Sequence, residues 1–538
     1  MFSRFYFLPF LLLTFFLFSN VNAATYVVDR ADDVAGATAC TAAVNDCSLR
    51  GAIINANANG TGLDTIQFNV NGGNAQTITM SSTPLPDIQT SLTIDGTTQP
   101  LFGGLPLVEI NGAASIINTN GFKITSPAGF VSISVTIKSL IINRFQGSGI
   151  YFNASSGITA TVVGCYIGVN PGGSIDQGNG NDGIGISAYP NSTFTIGGTP
   201  TSERNVISGN QDNGIAIETA FGFSNADTSV FIFNNFIGTT AGGNVDLGNS
   251  HNGISFGGPG FGYSMQVGNG LANGRNIISG NDENGILANS GTITIAGNYI
   301  GTSFNGNVDV GNTLDGIRLD SEVLSATIGG TVLGVPIGNL ISGNNENGIS
   351  IKDASIPATI RNNKIGTNAA GTAALGNTED GIYLYENDTF TNSSIIIGSD
   401  TSATDGNTIS GNGGFGIEIT EKVRQVKIFA NRIGTNDAAT AKIANGVTGI
   451  AILSSQNEVG LAGNDTASNV ISGNSLFGIM LVTSTGSGNK IFNNFIGTNS
   501  SGANLGNSSD GIYINQSALG NQIFPASPGA AIRTRRPS

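Results

Sequence analysis

The feature that most constrains this chain is a phrase that keeps returning. Asn205-Val-Ile-Ser-Gly-Asn210 comes back at Asn276, Asn339, Asn407 and Asn469, and a second phrase, Asn235-Phe-Ile-Gly-Thr239, comes back at Asn298, Asn363, Asn431 and Asn494. Each leads to a Gly-Ile pair, whose glycine stands at Gly149, Gly183, Gly214, Gly253 and onward to Gly511. The pairs recur about every 33 residues, a period that marks solenoids and propellers.

Each unit holds three short runs of alternating apolar residues, as in Gly214-Ile-Ala-Ile-Glu218, Val230-Phe-Ile-Phe233 and Phe236-Ile-Gly238, punctuated by Asn, Gly and Asp. Alternation with period two predicts strands, and the punctuation predicts turns. A propeller blade needs about four antiparallel strands. Three strands without a hairpin pattern describe one coil of a right-handed parallel β-helix, an all-β solenoid, predicted here over residues 61–517. Insertions alternate: one kind precedes the third strand (Thr199–Arg204), the other follows it (Thr239–Asn249), so loops should leave alternately from the two corners flanking that strand. Asn235, Asn298, Asn363, Asn431 and Asn494 share one register, with Cys165 in the same place, which predicts amides hydrogen-bonded from coil to coil. The Asn or Asp before each Gly-Ile, as at Asp182, Asn213, Asp315 and Asp380, suits a left-handed turn position.

The ends differ from the middle. Residues 1–23 combine Arg4, an apolar run from Phe5 to Phe18, and Val21-Asn22-Ala23, the pattern of a secretory signal cleaved after Ala23. An uncleaved anchor is the alternative, but the run falls short of the ~20 residues a spanning helix needs. The expectation is an exported or cell-surface protein with no transmembrane segment after cleavage. Export permits a bridge between Cys40 and Cys47, free thiols being the alternative, and leaves Cys165 as a small buried residue. Residues 24–60 depart in composition, and Ser48–Ala58 predicts a short helix closing the open end of the stack. Residues 518–538 form an irregular tail ending in Arg533-Thr-Arg-Arg-Pro-Ser538.

The segment Cys47-Ser-Leu-Arg-Gly-Ala-Ile53, followed by Thr65-Ile-Gln-Phe68 and Leu92-Thr-Ile-Asp-Gly96, resembles the CSLREA-type N-terminal segment of secreted bacterial β-helix proteins, with Gly51 where the motif has Glu. The repeats resemble those of the pectin-lyase-like superfamily. That resemblance implies the fold; it does not choose among lyases, hydrolases, epimerases, adhesins and non-catalytic members.

Composition narrows the chemistry. The formal charge of −14 excludes nucleic acid as a natural partner, and a single histidine leaves almost no material for histidine-based catalysis or metal clusters. The paired-Asp, Gly-His-Gly and Arg-Ile-Lys motifs of polygalacturonases do not occur in the repeats, and the chain has no Trp for the motif of pectate lyases. Asn/Asp/Gly loops such as Gly243-Asn-Val-Asp-Leu-Gly248 offer oxygen ligands, which makes Ca²⁺ the one cofactor they suit, though they lack a dense carboxylate spacing; no other cofactor or metal site is expected.

On the Gly-Ile strands the outward positions are mostly small or apolar, with one exception: Arg318, Asp320, Lys352, Tyr383, Tyr385 and Glu418 fall on four successive coils. At about 4.8 Å per coil they span roughly 14 Å, room for a stretch of extended glycan. If the chain is a polysaccharide lyase, Lys352, Tyr385 and Arg318 are its candidate catalytic groups, with Asp320, Tyr383 and Glu418 binding substrate. The bland reading is a solvated face with a cross-strand Asp320–Lys352 ion pair. Asp320 and Glu418 are too far apart for the carboxyl pair of a glycosidase. A second outward stripe, including Tyr166, Val206, Phe236, Ile277 and Tyr299, should lie under the inserted loops, with Val245, Leu247, Val310, Leu375 and Leu505 folding back on it. The overall expectation is a monomeric extracellular β-helix that meets polysaccharide or cell-surface glycan without catalysis, a polysaccharide lyase or related carbohydrate-active enzyme being the alternative.

Overall fold

The computed structural model describes residues 23–524, apart from 61, 127–131, 154–156, 189, 220–227, 259–262, 388–390, 483–487 and 516–519. The expected signal segment, except Ala23, and the expected tail, except residues 520–524, lie outside the described residues. Three long sheets dominate: sixteen strands from Thr25–Val28 to Gln522–Phe524, fourteen from Gln76–Thr79 to Phe495–Ile496, and thirteen from Phe122–Ile124 to Ile512–Ile514. Strands pair in parallel from coil to coil, and the chain visits the three sheets in turn as a right-handed parallel β-helix. The first sheet thus begins before residue 61 and continues past residue 517.

The Gly-Ile pair has a steric cause. A Cβ on Gly285 would lie 2.7 Å from the Gly316 carbonyl oxygen, 2.8 Å from Asn312 Nδ2 and 2.8 Å from a methyl of Ile300, so the next coil leaves no room for a side chain. The isoleucine that follows points inward. Ile254, Ile286, Ile317 and Ile349 stand in register and fully buried. Each such side chain contributes roughly 1.5–3 kcal/mol of burial.

Polar columns run parallel to this core. In the first, Asn205 Nδ2 donates to Asn235 Oδ1 at 2.8 Å, Asn235 to Asn276 at 3.0 Å, Asn276 to Asn298 at 2.8 Å and Asn298 to Asn339 at 3.0 Å, continuing to Asn494. Cys165 heads this column, its N–H donating to Asn205 Oδ1, and burial raises its thiol pKa to about 12. A second column runs through Asn179, Asn210, Asn249 and Asn281 to Asn507. The Asn and Asp residues before Gly-Ile do not take the expected left-handed conformation. They form a third column instead, with Asn213 donating to Asp182 (3.1 Å), Asn252 to Asn213 (3.1 Å), Asn284 to Asn252 (2.8 Å) and Asn347 to Asp315 (2.9 Å). Left-handed backbone falls instead one residue before first-column asparagines, at Asn234, Asn362, Ala430 and Asn493 among others.

The N-terminal end is closed by the helix Leu49–Asn59, capped by the Ser48 hydroxyl, which accepts from Gly51 N–H at 3.0 Å. Arg50, buried, donates to both carboxylate oxygens of Asp33 at 2.7 and 2.6 Å and to the carbonyls of Thr83 and Pro84. Cys40 and Cys47 are joined by a disulfide. Gly51 is held to glycine because a Cβ would fall 2.9 Å from the Ala37 carbonyl carbon and 3.0 Å from Thr38 Cα.

Loops leave the two corners in alternation. Those after the third strand stack on one another: Ala241 N–H donates to Gly173 O (2.7 Å), Phe304 to Gly243 (2.7 Å), Ala369 to Gly306 (2.9 Å) and Asp437 to Gly371 (3.0 Å). They cover the second stripe, so that Tyr166, Val206, Phe236 and Ile277 form a buried cluster with Leu247 packed against it. Val310 and Leu505 are buried and Leu375 half-buried, but Val245 is 58% exposed, because it stands at the loop tip where its carbonyl turns back to Thr240 N–H. The other corner supplies cations: Arg204 lies 4.2 Å from the Phe236 ring centroid and Arg275 4.0 Å from that of Tyr299. Among the described residues no helix is long and apolar enough to cross a membrane.

Candidate functional site

The thirteen-stranded sheet sets Arg318, Ser350, Tyr383 and Glu418 on consecutive coils in one outward column. Asp320, Lys352 and Tyr385 stand two residues further along their coils, so all six sequence-predicted residues share one patch. Their pairing differs from the expected Asp320–Lys352 bridge. Arg318 donates through Nε to both oxygens of Asp320 (3.2 and 3.2 Å) and through Nη2 at 3.1 Å, a fork between residues two apart on one coil. Lys352 reaches instead over the next coil, with Nζ 4.6 Å from the Tyr383 ring centroid and 5.9 Å from that of Tyr385. Those two rings stack at 6.0 Å with planes 15° apart, and Tyr385 Oη donates to Asn387 Oδ1 at 3.1 Å. Burial, reinforced by Glu418, raises the Tyr383 pKa to about 12.

Three carboxyl groups beside this patch lie outside the sequence expectation for it, which assigns Asp315 and Asp380 only to turns and does not single out Glu346. Asp380 carries the third column into the site: its N–H donates to Asn347 Oδ1 at 3.1 Å, its Oδ1 accepts from Phe415 N–H at 2.6 Å, and its carboxyl hydrogen-bonds that of Glu418. Burial raises the pKa of both, with Glu418 adding to the rise at Asp380 and Glu379 to that at Glu418, so the pair holds a proton that an isolated carboxylate would lose. Asp315, fully buried, accepts from Asn347 through Oδ1 while its Oδ2 has no partner, and burial raises its pKa too. Glu346 is raised by burial and by its proximity to Asp315 and Glu379. The signal available in the sequence was the exchange of Asn for Asp within a column otherwise built of asparagine.

Elsewhere on the same sheet face, a groove of about 440 Å³ opens beside Tyr151, Asp182, Asp212 and Glu218. His251, the single histidine, sits at Asp212, Nδ1 to Oδ1 3.0 Å. Among the described residues no three His, Cys, Asp or Glu side chains gather as metal ligands, and Asp246 of the Gly243–Gly248 loop accepts from Gly248 N–H at 2.8 Å, the geometry of a turn.

No protein-family model matches the chain, and no curated protein matches it. Solved structures do. The A-module of the Azotobacter vinelandii mannuronan C-5 epimerase AlgE6 is 12% identical, with 89% of this chain and 94% of that one covered at a TM-score of 0.36. The periplasmic alginate epimerase AlgG is 14% identical, covering 84% of this chain and 76% of that one at 0.33. The Dettilon tailspike protein is 15% identical, covering 78% and 68% at 0.31. Identities and scores this low leave the functional argument to the residues of this chain.

Proposed function

We propose that this protein is an extracellular glycan-binding β-helix that lays an extended polysaccharide along the solvent face of its thirteen-stranded sheet. The observation that carries the reading is the Tyr383–Tyr385 stack with its flanking Lys352, next to the Asp380–Glu418 pair. Aromatic faces cover the C–H faces of sugar rings, and planar carboxyl groups take pairs of sugar hydroxyls, which is the usual division of labour in a carbohydrate site. Export fits this role, with the apolar N-terminal run as its signal and the CSLREA-like segment as its cap.

Electrostatics separates the two readings of chemistry. A lyase acting on uronates needs free cations facing the substrate carboxylate and a base able to accept a proton. Here Arg318 is held by Asp320, and Lys352 lies over two rings with its charge facing Asp315 and Glu346. Tyr383 holds its proton more firmly than a free phenol. A second reading is favoured by one specific feature: the Asp380–Glu418 pair keeps a proton toward neutral pH, which is what a general acid for glycosidic cleavage requires.

The test incubates the protein, with and without Ca²⁺, with a panel of neutral, amino and acidic polysaccharides, reading retention on the glycan, new reducing ends and unsaturated products. Binding without products, weakened about tenfold or more by Tyr383→Ala with Tyr385→Ala, is the expected result. Reducing ends lost in Glu418→Gln would establish the hydrolytic reading, and unsaturated products lost in Lys352→Ala would establish a lyase. Wild-type retention by the double tyrosine variant would remove this patch as the site.

A further inference from the structure

The groove beside Tyr151 lies four coils nearer the N-terminal end of the sheet than Arg318, counted from the strand of Gly185. It is a built concavity, and the reason is steric. A Cβ on Gly185 would fall 2.9 Å from Tyr151 Cδ2, 3.3 Å from Asp182 Oδ2 and 3.4 Å from Ser148 Oγ, so glycine there lets the Tyr151 ring and the Asp182 carboxylate close over the sheet. Ala216 continues the low floor on the next coil.

The lining mixes three kinds of group. One wall carries the aromatic ring of Tyr151; Asn120 and Asn181 bring amides; Asp182, Asp212 and Glu218 bring carboxylates. The carboxylates are anchored from one side: Asp182 Oδ1 accepts from Asn213 N–H (3.2 Å) and Nδ2 (3.1 Å), and Asp212 Oδ1 accepts from Asn213 Nδ2 (2.8 Å). Among the described residues neither lysine nor arginine lines the groove. A ring with amide and carboxylate acceptors fits the C–H face and hydroxyls of a sugar. Three carboxylates, with His251 against Asp212 and Lys123 of the neighbouring strand turned to Asp87, leave the groove itself acidic and repel a sugar acid, at an energy that grows as water is displaced.

We propose that this groove is a second subsite of the glycan track, and that it restricts the ligand to sugars without carboxylate groups, neutral or amino. The inference rests on the glycan-binding reading above and adds what that reading leaves open, the charge class of the polymer. Tyr151 and Tyr383 stand on the same outward column seven coils apart, about 34 Å, with Ala216, Ser255, Leu287 and Arg318 among the residues between them. One long chain reaches both sites; a short oligomer reaches one.

The experiment measures binding of the whole protein to neutral, amino-sugar and uronate polysaccharides and to their short oligomers, by calorimetry and glycan array. It compares wild type, a groove variant (Asp212→Asn with Glu218→Gln) and the Tyr383→Ala, Tyr385→Ala cluster variant. Matching melting temperatures confirm that the substituted proteins are folded. The expected result is that every strongly bound glycan lacks carboxylates, and that the groove variant loses about tenfold in affinity for long chains while short oligomers still bind at the cluster. Uronates as the strongest ligands would overturn the inference. So would a groove variant that binds long chains like wild type while the cluster variant does not, an outcome that leaves the glycan-binding reading standing. No binding to any glycan by the wild type would overturn both.

Discussion

Asp380 stands where Asn213, Asn252, Asn284 and Asn347 stand in other coils, and the exchange replaces one donating NH₂ with an oxygen. An asparagine in this column donates to the carbonyl oxygen of the side chain before it. An ionised aspartate cannot, so Asp380 turns to Glu418 and keeps a proton, whereas Asp315, near Glu346 but without a hydrogen bond to it, leaves Oδ2 unpartnered. The sign of the linkage follows. A carboxyl whose pKa is raised by folding binds its proton more tightly in the folded chain. Its stabilisation is complete below the unfolded value and fades as pH climbs through the folded one. For Asp182, raised by burial to about 6, the loss falls across roughly pH 4 to 6; for the Asp380–Glu418 pair it extends higher. Asp380→Asn is therefore expected to raise the urea midpoint at pH 8 and leave it almost unchanged at pH 4; a midpoint shift equal at both pH values would refute the shared proton. The column's register was legible in the sequence, but its conformation was not. Asparagine is favoured both by left-handed turns and by amide ladders, and only the backbone angles tell the two apart.

At the scale of elements, the strands were legible because Gly-Ile answers to two demands at once: no space for a side chain on the glycine, a full interior for the isoleucine. The first amide column was legible for the same reason, since a ladder repeats its residue. It was longer than the five residues chosen for it, because Asn205 and Asn276 of the other phrase stand in the same column as Asn235 and Asn298. Pairing within the candidate site was not legible. Period two places Arg318, Asp320 and Lys352 on one face, but whether Asp320 turns along its own strand or across to the next depends on side-chain rotamers, and it turns to Arg318. The ladder carries a measurable load. Asn298→Ala removes a donor to Val267 O and to Asn339 and an acceptor for Asn276, so each group left buried and unpaired costs about 1–3 kcal/mol. Hydrogen exchange should report faster opening in the coils around residue 298 while the distant coils keep wild-type protection, as expected where repeats contact only their neighbours. Uniform loss of protection along the chain would contradict this.

For the whole molecule, a stack of coils is only as stable as its ends. The N-terminal closure depends on Arg50, whose guanidinium is buried against Asp33 and two carbonyls, and on the helix that begins one residue earlier. Asp33→Ala leaves that cation without its counter-charge and is expected to cost about 3–5 kcal/mol. Protease cleavage should then begin near the first coils, and cleavage starting elsewhere would show that the closure is not the weak point. The helix itself was legible from Ser48 and the apolar residues after it. Its anchoring was not, because Asp33 lies 17 residues away with no periodicity to announce the contact.

The loops that follow the third strand touch their counterparts two coils away, as Phe304 does Gly243 and Ala369 does Gly306, and skip the coil between. That contact makes the true building block a pair of coils. Removing or adding a single coil would bring a loop of one kind beneath a loop of the other and strip the cover from the Phe236 and Tyr166 surface, whereas removing or adding two preserves every bond. The length of such a molecule is quantised in pairs, and the gene that encodes it can grow or shrink smoothly only in even steps.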